Sequence, residues 1–403
     1  MIAFNIPQFI RKSITHRDRS LFAEDINAHH TQLSREIKGK AILVIGGAGT
    51  IGSSFIRATL EFNPGRLFVV DTNENGLTEL TRDLRSQVGL TLPTDYKTYP
   101  MNFGDPVFAK LIHAEGPFDI VANFAAHKHV RSEKDRYSIE ALLDNNVFKA
   151  HRLLELIAPS PPSHFFCVST DKAANPVNVM GASKKLMEQV ILSYRDRFPV
   201  TTARFANVAF SNGSLLAGYL DRLMKGQPIA CPADVRRYFV SPEESGQICL
   251  LACILGQSGQ IFFPKLSENQ MLTFKEITQD FFKHLGMSIR PCGSEEEARN
   301  YAQSRAPGDP YPVYFFATDT SGEKAYEEFY TDKDELEMDT FSSLGIIQNA
   351  LAPSSAEVTS VLRQLQEEFE KPDYHKASII RVMQQILPDF HHIETGKGLD
   401  DKM

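Results

Sequence analysis

The chain has 403 residues, 42% hydrophobic and 23% charged, with a formal net charge of −7; that balance belongs to a folded globular protein and excludes wholesale disorder, collagen-like and coiled-coil chains. Mild acidity sets nucleic acid aside as the main partner, because phosphate binding draws on clustered Lys and Arg. Apolar runs such as residues 248–255 fall far short of the ~20 residues that span a bilayer, and no basic-then-apolar leader opens the chain, so a cytoplasmic protein without a membrane span is expected.

Residues 1–38 precede the first clear strand and read as an N-terminal arm, whose Phe4, Ile6, Phe9, Ile10, Leu21 and Phe22 call for burial, expected against a partner subunit. From residue 40 strand and helix alternate. Ala41-Ile42-Leu43-Val44-Ile45 is a continuous apolar run, the mark of a strand buried on both faces of a parallel sheet. A helix over 53–62 and a strand over 67–70, ending at Asp71, come next. The pattern continues with a helix over 77–88, a strand over 99–102, a helix over 107–113 and a strand over 120–124. A long helix over 139–157, a strand over 165–169, a helix over 181–198 and a strand over 202–205 complete the series. This alternation predicts an α/β fold, a Rossmann-type doubly wound parallel sheet with its binding crevice at the carboxyl ends of the strands.

After residue 208 the segments shorten and Pro228, Pro232, Pro242 and Pro264 punctuate them. Helices are expected over 215–225, 243–254 and 274–285, and further on over 355–369 and 377–386. The expected divisions are the arm at 1–38, the Rossmann domain at 39–208, a smaller mixed α/β substrate-binding region at 209–338 and a C-terminal helical extension at 339–403. Five cysteines are scattered through the chain, and Cys249 and Cys253, one helical turn apart, read as buried small side chains rather than a metal site or bridge.

Gly46-Gly47-Ala48-Gly49-Thr50-Ile51-Gly52 follows the first strand and opens a helix. Small residues permit the tight turn, and bare N–H groups at a helix amino terminus receive a pyrophosphate. Asp71 ends the next strand about 20 residues on, where a carboxylate accepts from the adenosine ribose hydroxyls. A carboxylate there repels the extra phosphate of NADP, so NAD is the expected cofactor. Asn102 is a candidate for the adenine edge, and Ala125 and Ala126 are small enough for close approach of the cofactor. His127-Lys128-His129 reads as a turn flanking the cofactor, because alternate residues cannot by themselves complete a metal site.

Cys167-Val168-Ser169-Thr170-Asp171-Lys172 sets a hydroxyl, a carboxylate and an amine at the carboxyl end of a buried strand, and Met180 and Lys184 share a helix face one turn apart. Here the chain resembles the extended short-chain dehydrogenase/reductases, and within them the UDP-N-acetylglucosamine 4,6-dehydratases of the polysaccharide-biosynthesis (CapD-like) branch. The matching stretches are the glycine run, Ala125-Ala126-His127-Lys128-His129-Val130, Asn145-Asn146-Val147-Phe148, Ser169-Thr170-Asp171-Lys172-Ala173 and Asn178-Val179-Met180-Gly181-Ala182-Ser183-Lys184. Arg204-Phe205-Ala206-Asn207-Val208, Arg237-Tyr238-Phe239 and Gly322-Glu323-Lys324-Ala325-Tyr326-Glu327-Glu328 also match, so the resemblance covers residues 40–335.

That resemblance implies a dehydration in which hydride leaves sugar carbon 4 for NAD, the carbon 5 proton is removed, the carbon 6 hydroxyl departs as water, and hydride returns to carbon 6. On this chemistry Lys172, desolvated and near Lys184, is the expected carbon 5 base with a lowered pKa. Asp171 is the expected acid for the leaving hydroxyl, its pKa raised by burial. Thr170 is assigned to the sugar's oxygen 4, and Lys184 to the nicotinamide ribose. Most relatives carry Tyr where Met180 stands, and a thioether cannot abstract a proton, so Asp171, directly or through water, inherits the oxygen 4 proton. Asn207 and Arg237 are candidates for the nucleotide diphosphate, which suits a bidentate guanidinium. A homo-oligomer built through helices of the fold is expected. Two rival readings use the same residues: a nucleotide-sugar 4-epimerase, and a non-catalytic NAD-binding redox sensor.

Overall fold

A computed structural model describes residues 4–129, 133–319, 322, 324, 326–348, 350 and 352–394. The first apolar run forms β1 (Ala41–Ile45), followed by α1 (Thr50–Leu60), β2 (Arg66–Asp71), α2 (Glu74–Ser86), β3 (Asp95–Pro100) and α3 (Pro106–Glu115). The alternation continues through β4 (Ile120–Asn123), α4 (Arg136–Leu143), α5 (Lys149–Ile157), β5 (His164–Val168), α6 (Val179–Leu192) and β6 (Val200–Ala203). Later come α7 (Pro242–Leu255), β7 (Ile261–Pro264), β8 (Glu335–Glu337), β9 (Leu344–Gln348), α8 (Ser355–Phe369) and α9 (Lys376–Met383).

Among the described residues nine of these strands make one sheet in the order β8-β9-β7-β6-β5-β4-β1-β2-β3. It is parallel from β7 to β3, and β9 and β8 extend it antiparallel. Strand order reverses between β1 and β4, which opens a crevice at their carboxyl ends. Both faces of β1 are covered: Ile42 and Val44 pack with Phe55, Ile56, Leu80 and Leu251 from α1, α2 and α7. Leu43 and Ile45 face Phe108, Leu142, Leu154 and Val190 from α3, α4, α5 and α6. Burying one such side chain contributes about 1.5–3 kcal/mol, which is why a strand with no polar face is stable only here. The expected doubly wound architecture is present.

A second, three-stranded sheet pairs Tyr311–Phe316 with Ile229–Pro232 and Ile289–Cys292. It packs with helices Leu215–Lys225 and Phe274–His284 around a core of its own. The arm was expected on a partner subunit; instead Phe9, Ile10 and Ile14 complete this smaller core, and Phe22, Leu33 and Ile37 join the large one. Arg17 clamps the arm with a two-pronged bridge to Glu244 of α7, at 2.8 and 2.9 Å.

Three segments differ from expectation. The long helix over 139–157 is divided into α4 and α5 by a π-helical turn, Asp144–Phe148. The third strand lies earlier than 99–102, because an edge strand need not carry an apolar run. The stretch after 339 begins with β9, whose Leu344-Gly345-Ile346-Ile347 pairs with β7 before the helices start. Helices α8 and α9 then lie over the α4–α6 side of the sheet, with Val358, Leu362, Leu365 and Ile379 in that core. Their far end holds Glu133, whose Oε1 is 3.4 Å from Lys376 Nζ and 3.0 Å from His392 Nε2. The other oxygen of Glu133 accepts from the N–H of Val179, which opens α6. Among the described residues no helix is long and apolar enough to cross a membrane.

Candidate active site

The glycine turn is shaped by crowding. Gly46 has φ +76°, and a Cβ there would stand 2.5 Å from the Ala125 nitrogen, so the turn after β1 touches the segment after β4 backbone to backbone. A Cβ on Gly52 would meet the Gly46 oxygen at 2.4 Å, which seats α1 directly on the turn. Gly49 is the N-cap of α1 and no side chain caps that end, leaving the first-turn N–H groups, from Thr50, Ile51 and Gly52, for an anion. The turn fits a dinucleotide pyrophosphate, since the N–H groups that open α1 have no side-chain cap.

Asp71 closes β2 and does local work: Oδ2 accepts from Ala48 N at 3.0 Å and Oδ1 from Asn73 N at 2.9 Å. Its carboxylate thus steers the glycine turn as well as facing the crevice. Asn102 Oδ1 accepts from Gly104 N at 2.9 Å, capping its own turn. Ala125 N–H donates to Asn123 Oδ1 at 3.0 Å, and Ala126 is half-buried beside it. Residues 209–214 cross above: Asn212 N–H donates to Thr50 Oγ1 at 2.9 Å, and the Asn212 carbonyl accepts from Lys128 Nζ at 2.7 Å.

At the end of β5, Asp171 and Lys172 open a short 3-10 turn. Asp171 is 3% exposed. Its Oδ1 accepts from Thr170 Oγ1 (2.9 Å), Lys172 N (2.9 Å) and Lys172 Nζ (3.1 Å), so the Thr170 hydroxyl assigned to the sugar is engaged with Asp171. Helix α6 rests on this turn, since a Cβ on Gly181 would be 2.6 Å from the Lys172 oxygen. Asn178 caps α6 through Gly181 N (2.7 Å) and reaches Gly322 O (2.7 Å) with its amide. Met180 is buried in the core beneath. Lys184, also buried, donates to Val168 O at 2.7 Å, and burial pushes its pKa down.

Lys172 was expected to have a lowered pKa, and this is corrected. Burial alone would lower it, but the carboxylates of Asp171 and Glu327 outweigh burial and Arg237, and the net direction is upward. Glu327 Oε1 lies 3.7 Å from Lys172 Nζ and 3.8 Å from Arg237 Nη2. Burial, ahead of any neighbour, pushes the Glu327 carboxyl up. Arg237 is 6% exposed, and its Nη1 donates to the carbonyls of Arg236 (2.9 Å) and Lys324 (3.0 Å). Asn207 pairs by backbone, its N–H on Tyr238 O at 3.1 Å, with no recorded link to the carboxylate group.

Sequence reasoning had not singled out Glu327 or Asn146. Both stand in stretches that carried the family resemblance, the one available signal. Asn146, in the π-helical turn, pairs with the backbone of His127 through N–H (2.8 Å) and carbonyl (2.9 Å), and its amide also reaches Ser183 Oγ at 3.0 Å. It therefore fastens the segment after β4 to α6. Of the resembling stretches, Val130, Glu323 and Ala325 lie outside the described residues.

A family model described as polysaccharide biosynthesis protein matches residues 42–349. An uncharacterized membrane protein of Methanocaldococcus jannaschii is 30% identical over 326 residues, 75% of this chain and 93% of that protein. The capsular polysaccharide biosynthesis protein CapD of Staphylococcus aureus is 28% identical over 309 residues, 75% of this chain and 49% of that protein, so the chain spans about half the length of this relative. Among solved structures, Pen from Bacillus thuringiensis superposes with a TM-score of 0.63 at 20% identity, covering 81% of this chain and 98% of that one. A dTDP-glucose 4,6-dehydratase from Streptomyces venezuelae with NAD bound has a TM-score of 0.54 at 18% identity, covering 72% of this chain and 84% of that one. A UDP-N-acetylglucosamine 4-epimerase from Methanobrevibacter ruminantium has a TM-score of 0.52 at 14% identity, covering 87% of this chain and 98% of that one. These likenesses establish the fold and leave the reaction to the residues.

Proposed function

This chain belongs to the polysaccharide biosynthesis protein family, and from that premise we propose that it is a nucleotide-sugar 4,6-dehydratase that acts on UDP-N-acetylglucosamine with NAD. The observation that carries the reading is the pair of buried Asp171 and half-buried Lys172, joined at 3.1 Å at the carboxyl end of β5 with α6 packed against it. A 4-epimerase needs no such acid and base for carbons 5 and 6, and a pure cofactor sensor needs neither.

The uncapped end of α1 would hold the pyrophosphate, and Asp71 the adenosine ribose. NAD, when bound, supplies the hydride acceptor for carbon 4 and the hydride donor for carbon 6. The chain's own residues manage the protons. Asp171 Oδ1 is saturated by three donors, while Oδ2 has no recorded partner among the described residues. That free oxygen takes the carbon 5 proton, which an adjacent ketone acidifies, and later returns a proton to carbon 5. As hydride leaves carbon 4, Asp171 passes the oxygen 4 proton to water before it turns to carbon 5. Lys172, held as an ammonium ion, then protonates the carbon 6 hydroxyl so that it departs as water, and takes back one proton from solvent, which balances the one given up at oxygen 4. The roles first expected of the two residues are therefore exchanged, because the amine's carboxylate neighbours keep it charged. Met180, buried and without a titratable proton, stands aside.

The test is proton NMR of the purified chain with UDP-N-acetylglucosamine in heavy water. We expect a 4-keto-6-deoxy product with solvent deuterium at carbon 5. A 4-epimerised product with protium at carbon 5 selects the epimerase, and no product from a cofactor-loaded chain selects the sensor. Lys172→Ala should lower turnover by about 10²-fold or more while cofactor occupancy stays intact; full activity in that variant would remove Lys172 from the mechanism.

A further inference from the structure

Glu327 is a carboxylate that touches both Lys172 of the catalytic turn, at 3.7 Å, and Arg237 at the substrate end, at 3.8 Å. It is 5% exposed and follows the strand Tyr311–Phe316 by some distance in the chain. Around Lys172 Nζ the charged groups are Asp171, Glu327 and Arg237; around Glu327 they are Lys172, Asp171, Arg237 and Lys324. Among the described residues this inner cluster sets two cations against two anions, with Lys324 turned to Glu328 at 3.4 Å. Arg237 is anchored by carbonyls on both sides, so the carboxylate between it and Lys172 is held in place rather than free to swing.

We propose that Glu327 is a positioning residue of this site: with Asp171 it keeps Lys172 as an ammonium ion and ties that ion to Arg237. The proposal rests on the dehydratase reading for its consequence, since a charged Lys172 is what protonates the leaving hydroxyl. The geometry gives the reason. An amine flanked by one carboxylate at 3.1 Å and a second at 3.7 Å binds its proton more tightly than either neighbour alone permits, because each opposite charge within about 4–6 Å favours the charged form. Removing Glu327 removes one of those charges and takes away its offset to the repulsion between Arg237 and Lys172. Both changes ease loss of the proton.

The experiment compares the full chain with Glu327→Gln and Glu327→Asp. Lys172 is labelled with a small acylating reagent across a pH series, and mass spectrometry reads the extent at that residue; its side chain is 19% exposed and so within reach. The labelling midpoint should move to lower pH in Glu327→Gln and less far in Glu327→Asp, whose carboxylate is retained but withdrawn. In turnover of UDP-N-acetylglucosamine, the alkaline fall of kcat should move the same way, with kcat down at least about tenfold at alkaline pH and KM changed far less. An unmoved midpoint in a folded variant overturns the proposal, as does a midpoint that rises. If Glu327→Gln fails to fold, Glu327→Asp decides by the same criterion. The labelling needs no substrate, so it stands even if the chain does not dehydrate this sugar, and the two failures are told apart.

Discussion

Asp71 holds a turn and, on the proposed reading, meets the adenosine ribose as well. Its two oxygens hold the N–H groups of Ala48 and Asn73, so Asp71→Ala loosens the glycine turn and deletes the proposed ribose acceptor in a single change. Hydrogen bonds to a charged group contribute about 1.5–3 kcal/mol each, and we expect the Kd for NAD to rise by about tenfold or more. Calorimetric titration checks this, and unaltered affinity would remove Asp71 from the cofactor site. The glycines and Asp71 were legible because their meaning is local: a tight turn, a helix start and a strand end at fixed spacing. Glu327 was not. Its partners Asp171, Lys172 and Arg237 are distant in sequence, and an acidic residue among Tyr326, Glu327 and Glu328 has the same pattern as any solvated turn. The protonation of Lys172 was misjudged in part for the same reason: adjacent Asp171 raises it most, and Glu327 adds a second charge from elsewhere in the chain.

At the level of elements, apolar runs with both faces buried were readable nearly to the residue, as β1 shows, whereas β3 at the sheet edge was displaced and β9 was missed. The division of the helix between α4 and α5 has no signature in hydrophobic spacing; it is visible only once Asn146 is seen to pair with His127. Between elements, the rim is held by Arg204 and Glu188, both fully buried, with Nε–Oε1 at 2.9 Å and Nη2–Oε2 at 2.8 Å, and Ser169 adds a bond at 2.6 Å. Burial alone would push the Glu188 carboxyl up; Arg204 outweighs it and the net direction is down. The pair therefore contributes fully above the ordinary carboxylate range and is lost as pH falls below it. Arg204→Met strands a buried charge and should cost about 3–5 kcal/mol, read as a lower Tm at neutral pH. That deficit should shrink as acid protonates Glu188, and adding Glu188→Leu should recover much of it. A deficit that grows in acid would contradict this account of the rim.

For the whole molecule, both ends of the described chain are bound into it. The arm spans two cores, and α8 and α9 cover helices α4–α6, with Phe369 against Phe148 at 6.1 Å and the Tyr374 hydroxyl on Glu140. Arg17→Ala should release the arm, because Glu244 loses both charged contacts and keeps only the N–H groups of Leu21 and Ser241. The expected cost is about 1.5–3 kcal/mol, seen as faster proteolytic nicking within residues 4–38; a nicking rate like that of the unchanged chain would mean that the Phe9 cluster alone suffices.

The brace on α6 has a consequence for synthesis. Val179 N–H is held by Glu133, and Glu133 is held by Lys376 and His392. Ribosomes add about 5–20 residues each second, so roughly 200 residues separate the emergence of this helix from that of its brace, an interval of about 10–40 s. The first turn of the helix beside Asp171 is therefore made well before the residues that brace it through Glu133.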